Sequence, residues 1–135
     1  MIGKTILIVE DDGIIAARLQ DMLTRVGYTV PEPVASGEAA IAAVTVAMPD
    51  LVLMDIKLAG VMDGMTAAEH IRAEFDVPIV YLTAYFQTAQ LEQAKATAPY
   101  GYLIKPVADR ELLATLEMAL HRHTLDRRLK ESEER

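Results

Sequence analysis

Short, continuous apolar runs alternate along this chain with longer stretches in which apolar residues recur every three or four positions. Thr5-Ile6-Leu7-Ile8-Val9, Asp50-Leu51-Val52-Leu53-Met54 and Pro78-Ile79-Val80-Tyr81-Leu82 read as strands buried on both faces, because no polar residue interrupts them. Tyr100-Gly101-Tyr102-Leu103-Ile104 reads as a last strand, and Tyr28-Thr29-Val30, running through two prolines to Val34, as a weaker edge strand. Between them, Ile15, Leu19, Met22, Leu23 and Val26 repeat at helical spacing until Gly27 stops the helix. Ser36 is an N-cap for an alanine-rich helix ending near residue 47, and further helices are expected over 65–74 and 87–96. Asp109 is the expected cap of a final helix carrying Leu112, Leu113, Leu116, Ala119 and Leu120. Five strands alternating with five helices predict a doubly wound parallel α/β sheet with helices on both faces.

In such a sheet, ligands bind beyond the carboxyl ends of the strands. The first strand ends in Glu10-Asp11-Asp12, the third in Asp55, the fourth in Thr83 and the last in Lys105. Each core strand therefore delivers a charged or hydroxyl group to one edge. One acid at the start of a helix is explained as a cap, but three acids facing a fourth ask for a cation. Carboxylate oxygens with positions left open for water and phosphate suit Mg²⁺. Beside that ion, Asp55 has a free oxygen able to attack phosphorus, as carboxylates do in aspartyl-phosphate chemistry. Lys105 and Thr83 would meet the negative charge of a transferring phosphoryl group. Pro106 after Lys105 makes a cis bond there an expectation.

Composition narrows the picture. The 135 residues match one domain, and a net charge of −7 argues against direct nucleic-acid binding. The absence of cysteine excludes disulfides, thiolate metal sites and cysteine nucleophiles. No apolar run is long enough to cross a bilayer, and the N-terminus lacks a signal peptide's pattern, so a cytoplasmic location is expected.

Ile6-Leu7-Ile8-Val9-Glu10-Asp11-Asp12, Leu53-Met54-Asp55, Leu82-Thr83-Ala84 and Tyr102-Leu103-Ile104-Lys105-Pro106 resemble, in order, the signature blocks of two-component response-regulator receiver domains. The resemblance implies a flavodoxin-like five-stranded parallel sheet of order 2-1-3-4-5 with five helices. It implies a phosphorylation switch rather than an enzyme acting on a separate substrate. Asp55 would be the phosphoacceptor, Asp11 a direct Mg²⁺ ligand, and Glu10 would act through metal-bound water. The carbonyl of Lys57 would complete the metal shell, Thr83 and Lys105 would hold the phosphoryl group, and Tyr102 would be the aromatic switch. The implied partners are a histidine kinase or phosphotransfer protein and a downstream protein or attached domain. They would dock on the predicted fourth helix, fifth strand and fifth helix, a face that could also form a homodimer. The loop 57–64 is longer than the commonest family form.

A charged tail follows. Residues 1–121 are expected to form the receiver and 122–135 a helical connector, with Asp126–Lys130, Arg127–Glu131 and Lys130–Glu134 as opposite charges four apart. Those pairs explain a solvated helix but leave Leu125 and Leu129 unexplained. The segment 129–135 resembles a helix leading into a PAS domain. Three other readings compete. A haloacid-dehalogenase-type phosphatase would need an Asp where Lys57 stands. A non-phosphorylated interaction module would be expected to lack a site residue. Nucleotide binding has no glycine-rich loop to support it.

Overall fold

The computed structural model describes residues 3–58, 60–83 and 100–133. In chain order these form β1 (Ile6–Val9), α1 (Gly13–Arg25), α2 (Gly37–Val46), β2 (Leu51–Asp55), α3 (Gly64–Glu74), β3 (Ile79–Thr83), β4 (Gly101–Ile104) and α4 (Asp109–Glu133). The four strands are all parallel, in the order β1-β2-β3-β4.

Alternation along the strands explains the unbroken apolar runs. Ile6, Ile8, Leu51, Leu53, Val80 and Leu82 pack on one face with Leu19 and Leu23 of α1 and Leu112 and Leu116 of α4. Leu7, Val9, Val52, Met54, Ile79 and Tyr81 pack on the other with Ala40 and Val44 of α2 and Ala68 and Ile71 of α3. Helices cover both faces of β1, β2 and β3, whose residues are all buried, so their side chains need to be apolar until the strand ends.

Local signals set the helix boundaries. Ser36 Oγ accepts from the Ala39 N–H at 3.1 Å, and Asp63 Oδ1 accepts from the Thr66 N–H at 2.8 Å, so α2 and α3 each begin on a side-chain cap. Gly27, at φ 108°, closes α1 in the left-handed conformation that glycine adopts without strain.

The described fold departs from the predicted one at its edge. The expected strand over 28–34 reaches β1 only through two parallel bridges, Thr5–Thr29 and Val9–Val34. The Thr29 and Val34 N–H groups donate to Lys4 and Ile8. Pro31 and Pro33, lying between, have no N–H to give, so a continuous ladder does not form. The predicted helix over 87–96 lies outside the described residues. Four strands and four helices are therefore described, rather than five of each. Asp109 is the first residue of α4 rather than its cap, since the Leu112 N–H already donates to the Ala108 carbonyl. α4 runs unbroken to Glu133, through the expected boundary at residue 121. None of the described helices is long and apolar enough to cross a membrane.

Candidate metal and phosphoryl site

Parallel pairing brings the carboxyl ends of all four strands to one edge. Val9 is level with Met54, so the next residues, Glu10 and Asp55, emerge side by side. Thr83 ends β3 level with Ile104, and the Lys105 N–H donates to the Thr83 carbonyl at 2.8 Å. The Lys105–Pro106 peptide is cis, as the sequence leads one to expect.

The side chains converge. Carboxylate oxygens of Glu10, Asp11 and Asp55 all lie within 4.8 Å of one another, a grouping able to hold a metal ion. Lys105 Nζ lies 3.0 Å from Asp55 Oδ2 and 2.5 Å from Glu10 Oε1. Glu10, Asp55 and Thr83 are buried, whereas Asp11 is exposed at the mouth. The Lys57 N–H donates to Asp55 Oδ1 at 3.1 Å, fixing the carboxylate from the loop side. Tyr102 sits opposite Tyr81 in β4, three residues before Lys105, and is 39% exposed, so its ring has an outward position.

Among the described residues three acids share one cation in this cluster, and the electrostatics follow from that imbalance. Burial, then the neighbouring Asp55, raises the Glu10 pKa, and Lys105 offsets only part of the effect. Burial and Glu10 together raise Asp11. For Lys105, burial alone would favour the neutral amine, but Glu10 and Asp55 outweigh it and the net shift is upward. The ammonium is therefore firmly charged, while the acids retain uncompensated negative charge. A divalent cation would relieve that repulsion, and carboxylate oxygens are its natural ligands.

Asp12 takes no part in this cluster. Its Oδ1 accepts from the N–H groups of Ile14 and Ile15, at 2.9 and 3.2 Å, which makes it the N-cap of α1. Two features were not anticipated from sequence. One is the Glu10–Lys105 ion pair, which joins residues 95 apart. The other is Gly64, which ends the loop 57–64 and begins α3. Its N–H donates to the Ile56 carbonyl at 2.8 Å, and a Cβ there would stand 2.0 Å from the Asp55 carbonyl oxygen. A glycine directly after the capping Asp63 was the available signal, but nothing in the sequence says what it packs against.

A family model described as the response regulator receiver domain matches residues 6–117. The transcriptional regulatory protein PdtaR of Mycobacterium tuberculosis is 34% identical over 121 residues, covering 90% of this chain and 58% of its own length. The DNA-binding response regulator MtrA of Mycobacterium leprae is 35% identical over 120 residues, covering 89% of this chain and 52% of its own. The chain thus spans a little over half the length of these relatives. Among solved structures, the signal receiver domain of a modulated diguanylate cyclase from Desulfovibrio desulfuricans superposes with a TM-score of 0.86 at 36% identity, covering 92% of this chain and 98% of that one. The N-terminal domain of a response regulator/sensory box/GGDEF three-domain protein from Carboxydothermus hydrogenoformans gives 0.82 at 38% identity, with 91% and 98% coverage.

Proposed function

The chain belongs to the response-regulator receiver family, the regulatory domains of two-component systems, and we propose that Asp55 is its phosphoacceptor, with Mg²⁺ held by Asp11, Asp55, the Lys57 carbonyl and, through water, Glu10. The observation that carries this reading is the convergence of three carboxylates and one ammonium at the mouth of a parallel sheet. When bound, Mg²⁺ would neutralise charge on the carboxylates and on the incoming phosphoryl oxygens.

The chain's own residues account for the rest. An Asp55 carboxylate oxygen attacks phosphorus, the bond from phosphorus to the donor breaks, and an acyl phosphate remains on Asp55. The Lys57 N–H and the buried floor beneath Asp55 limit its rotation and orient it. Lys105, already bonded to Asp55, shifts its contact to the new phosphoryl oxygens. Thr83 offers its hydroxyl from the adjacent strand end, and Tyr102 responds as the switch. The predicted helix over 87–96 would complete the predicted five-helix, 2-1-3-4-5 fold, with 28–34 as its edge strand.

A histidine kinase or phosphotransfer protein supplies the phosphoryl group in this reading. The output is a downstream protein or attached domain, docking over the predicted helix 87–96, β4 and α4, in the cytoplasm. The domain is regulatory, with residues 122–135 as its connector, and turnover of small phosphate esters is not expected. The test is incubation with acetyl phosphate and Mg²⁺, read by intact-protein mass. A gain of one phosphoryl group that Asp55→Asn abolishes is expected. Equal uptake by Asp55→Asn would refute the assignment.

A further inference from the structure

The outer face of α4 carries an apolar seam that the described fold does not use. Leu112, Leu116, Ala119, Leu120 and His123 turn one side of this helix to the sheet and are buried. On the opposite side Met118, Leu125 and Leu129 are 71%, 49% and 62% exposed. With 3.6 residues per turn these three fall within about 40° of one another, roughly opposite Leu116 and Leu120. Their spacing of seven and then four, continued by Ser132, is that of a coiled-coil seam, with 118, 125 and 132 at d and 129 at a. Arg122 holds the remaining a position. Its guanidinium lies over the Tyr100 ring, 5.3 Å from the centroid, and that ring is edge-on to buried His123. The charge is thereby drawn away from the seam.

We propose that α4 pairs in parallel with α4 of a second copy of this chain through Met118, Leu125, Leu129 and Ser132. The charges beside the seam select both the occupant and the direction. In this register His121 and Arg128 occupy g, while Asp126 and Glu133 occupy e. A parallel pair sets each g position against the e position five residues further along its partner. That matches Arg128 with position 133, and His121 with Asp126, base against acid in both cases. An antiparallel pair would set bases against bases and acids against acids, which disfavours it. Each sheet lies on the far side of its own helix, so a two-fold pair leaves the two domains clear of each other. The seam spans little more than two heptads and includes Ser132, so the association is weak and concentration-dependent. It is separate from phosphoryl acceptance at Asp55 and needs no phosphodonor.

The chain has no cysteine, so one introduced thiol reports alone. Leu125→Cys places it in the seam, and Lys130→Cys places it on an exposed position outside the seam. Under mild oxidation of the full chain, Leu125→Cys is expected to form disulfide-linked dimers at least about tenfold faster than Lys130→Cys, because pairing raises its effective concentration. In sedimentation, the unmodified chain should gain mass toward two copies as concentration rises. Leu125→Lys/Leu129→Lys should remain a single copy with unchanged circular dichroism. Equal cross-linking rates would overturn the proposal. So would a chain that stays single at every concentration, which would leave the face to a different partner. Preferential linking of Met118→Cys to Ser132→Cys in a mixture, over either to itself, would show an antiparallel pair and overturn it as well.

Discussion

Replacing Gly64 with alanine adds one methyl group where the structure has no room for it. An ideal Cβ there would lie 2.0 Å from the Asp55 carbonyl oxygen, 2.9 Å from its carbonyl carbon and 3.0 Å from Ile56 Cα. All three are backbone atoms, so no side chain can rotate away. Reaching 3.0 Å from that oxygen, the closest approach real Cβ atoms show, means moving β2 or the start of α3 by about 1 Å, the difference between 3.0 and 2.0. β2 is buried along its whole length and bonded on both edges, so it resists such a shift. Overpacking a rigid interior costs about 1–3 kcal/mol, and this site belongs at the upper end. A loss of about 3 kcal/mol is roughly a hundredfold in the folding equilibrium. With a urea slope of about 1.5 kcal/mol per M, the midpoint of Gly64→Ala should fall by about 2 M. The same displacement moves Asp55, so phosphoryl uptake per folded molecule should drop by about a hundredfold. Gly13→Ala is the control. A Cβ there meets nothing within 4 Å, and the change is expected to be neutral or stabilising by up to about 1 kcal/mol. A Gly64→Ala chain as stable as the parent within about 0.5 kcal/mol, with normal uptake, would refute the packing argument.

Lys105→Met leaves Glu10 and Asp55 without their cation. Urea unfolding in a chelator should show a loss of about 2–4 kcal/mol, shrinking in saturating Mg²⁺ if a divalent ion can take over the neutralising role. The raised pKa values of Glu10 and Asp11 mean that unfolding releases their protons, so the metal-free fold weakens as pH climbs through and above the ordinary carboxylate range. Calorimetry should show Mg²⁺ binding tightest above those raised values, and weaker but accompanied by proton release at and below them. Affinity independent of pH across that window would contradict it. Lys105 acts in the same sense at higher pH: its stabilising contribution is complete below the unfolded value of 10.5 and is lost as pH rises through the higher folded value. Tyr100, whose hydroxyl donates to Asp126 at 2.6 Å, has its pKa pushed up to about 12, chiefly by burial and then by Asp126. Spectrophotometric titration should therefore lose a tyrosine ionising at about 12 in Tyr100→Phe, with about 1 kcal/mol of stability.

The site was more legible than the edge of the fold, for identifiable reasons. Glu10, Asp55, Thr83 and Lys105 each follow a run of apolar strand residues, and a polar group at such a point can only emerge where the strand leaves the core. Once the strands are parallel, those four points share an edge without further information. The segment 28–34 carried two opposed signals, β-branched residues and two prolines, and local propensity could not weigh one against the other. The missing N–H groups of Pro31 and Pro33 decided it in favour of isolated bridges. Asp12 stands one residue beyond the acidic pair and is given no role in the site by the resemblance. The turn into α1 instead directs its carboxylate at the helix N–H groups.

By itself the sequence determined the class of architecture, the burial of the strands and the residues able to emerge at the functional edge. These follow from periodicity and from the cost of burying unpaired polar groups, both of which act over short stretches of chain. Tertiary structure alone decided that Lys105 bonds Glu10 as well as Asp55, that Gly64 lies against the Asp55 carbonyl, and that Tyr100 meets Asp126. The Lys105 and Tyr100 contacts join residues far apart in sequence, Gly64 reaches Asp55 across a whole loop, and all these distances are set by how helices and strands pack. No local pattern encodes that packing.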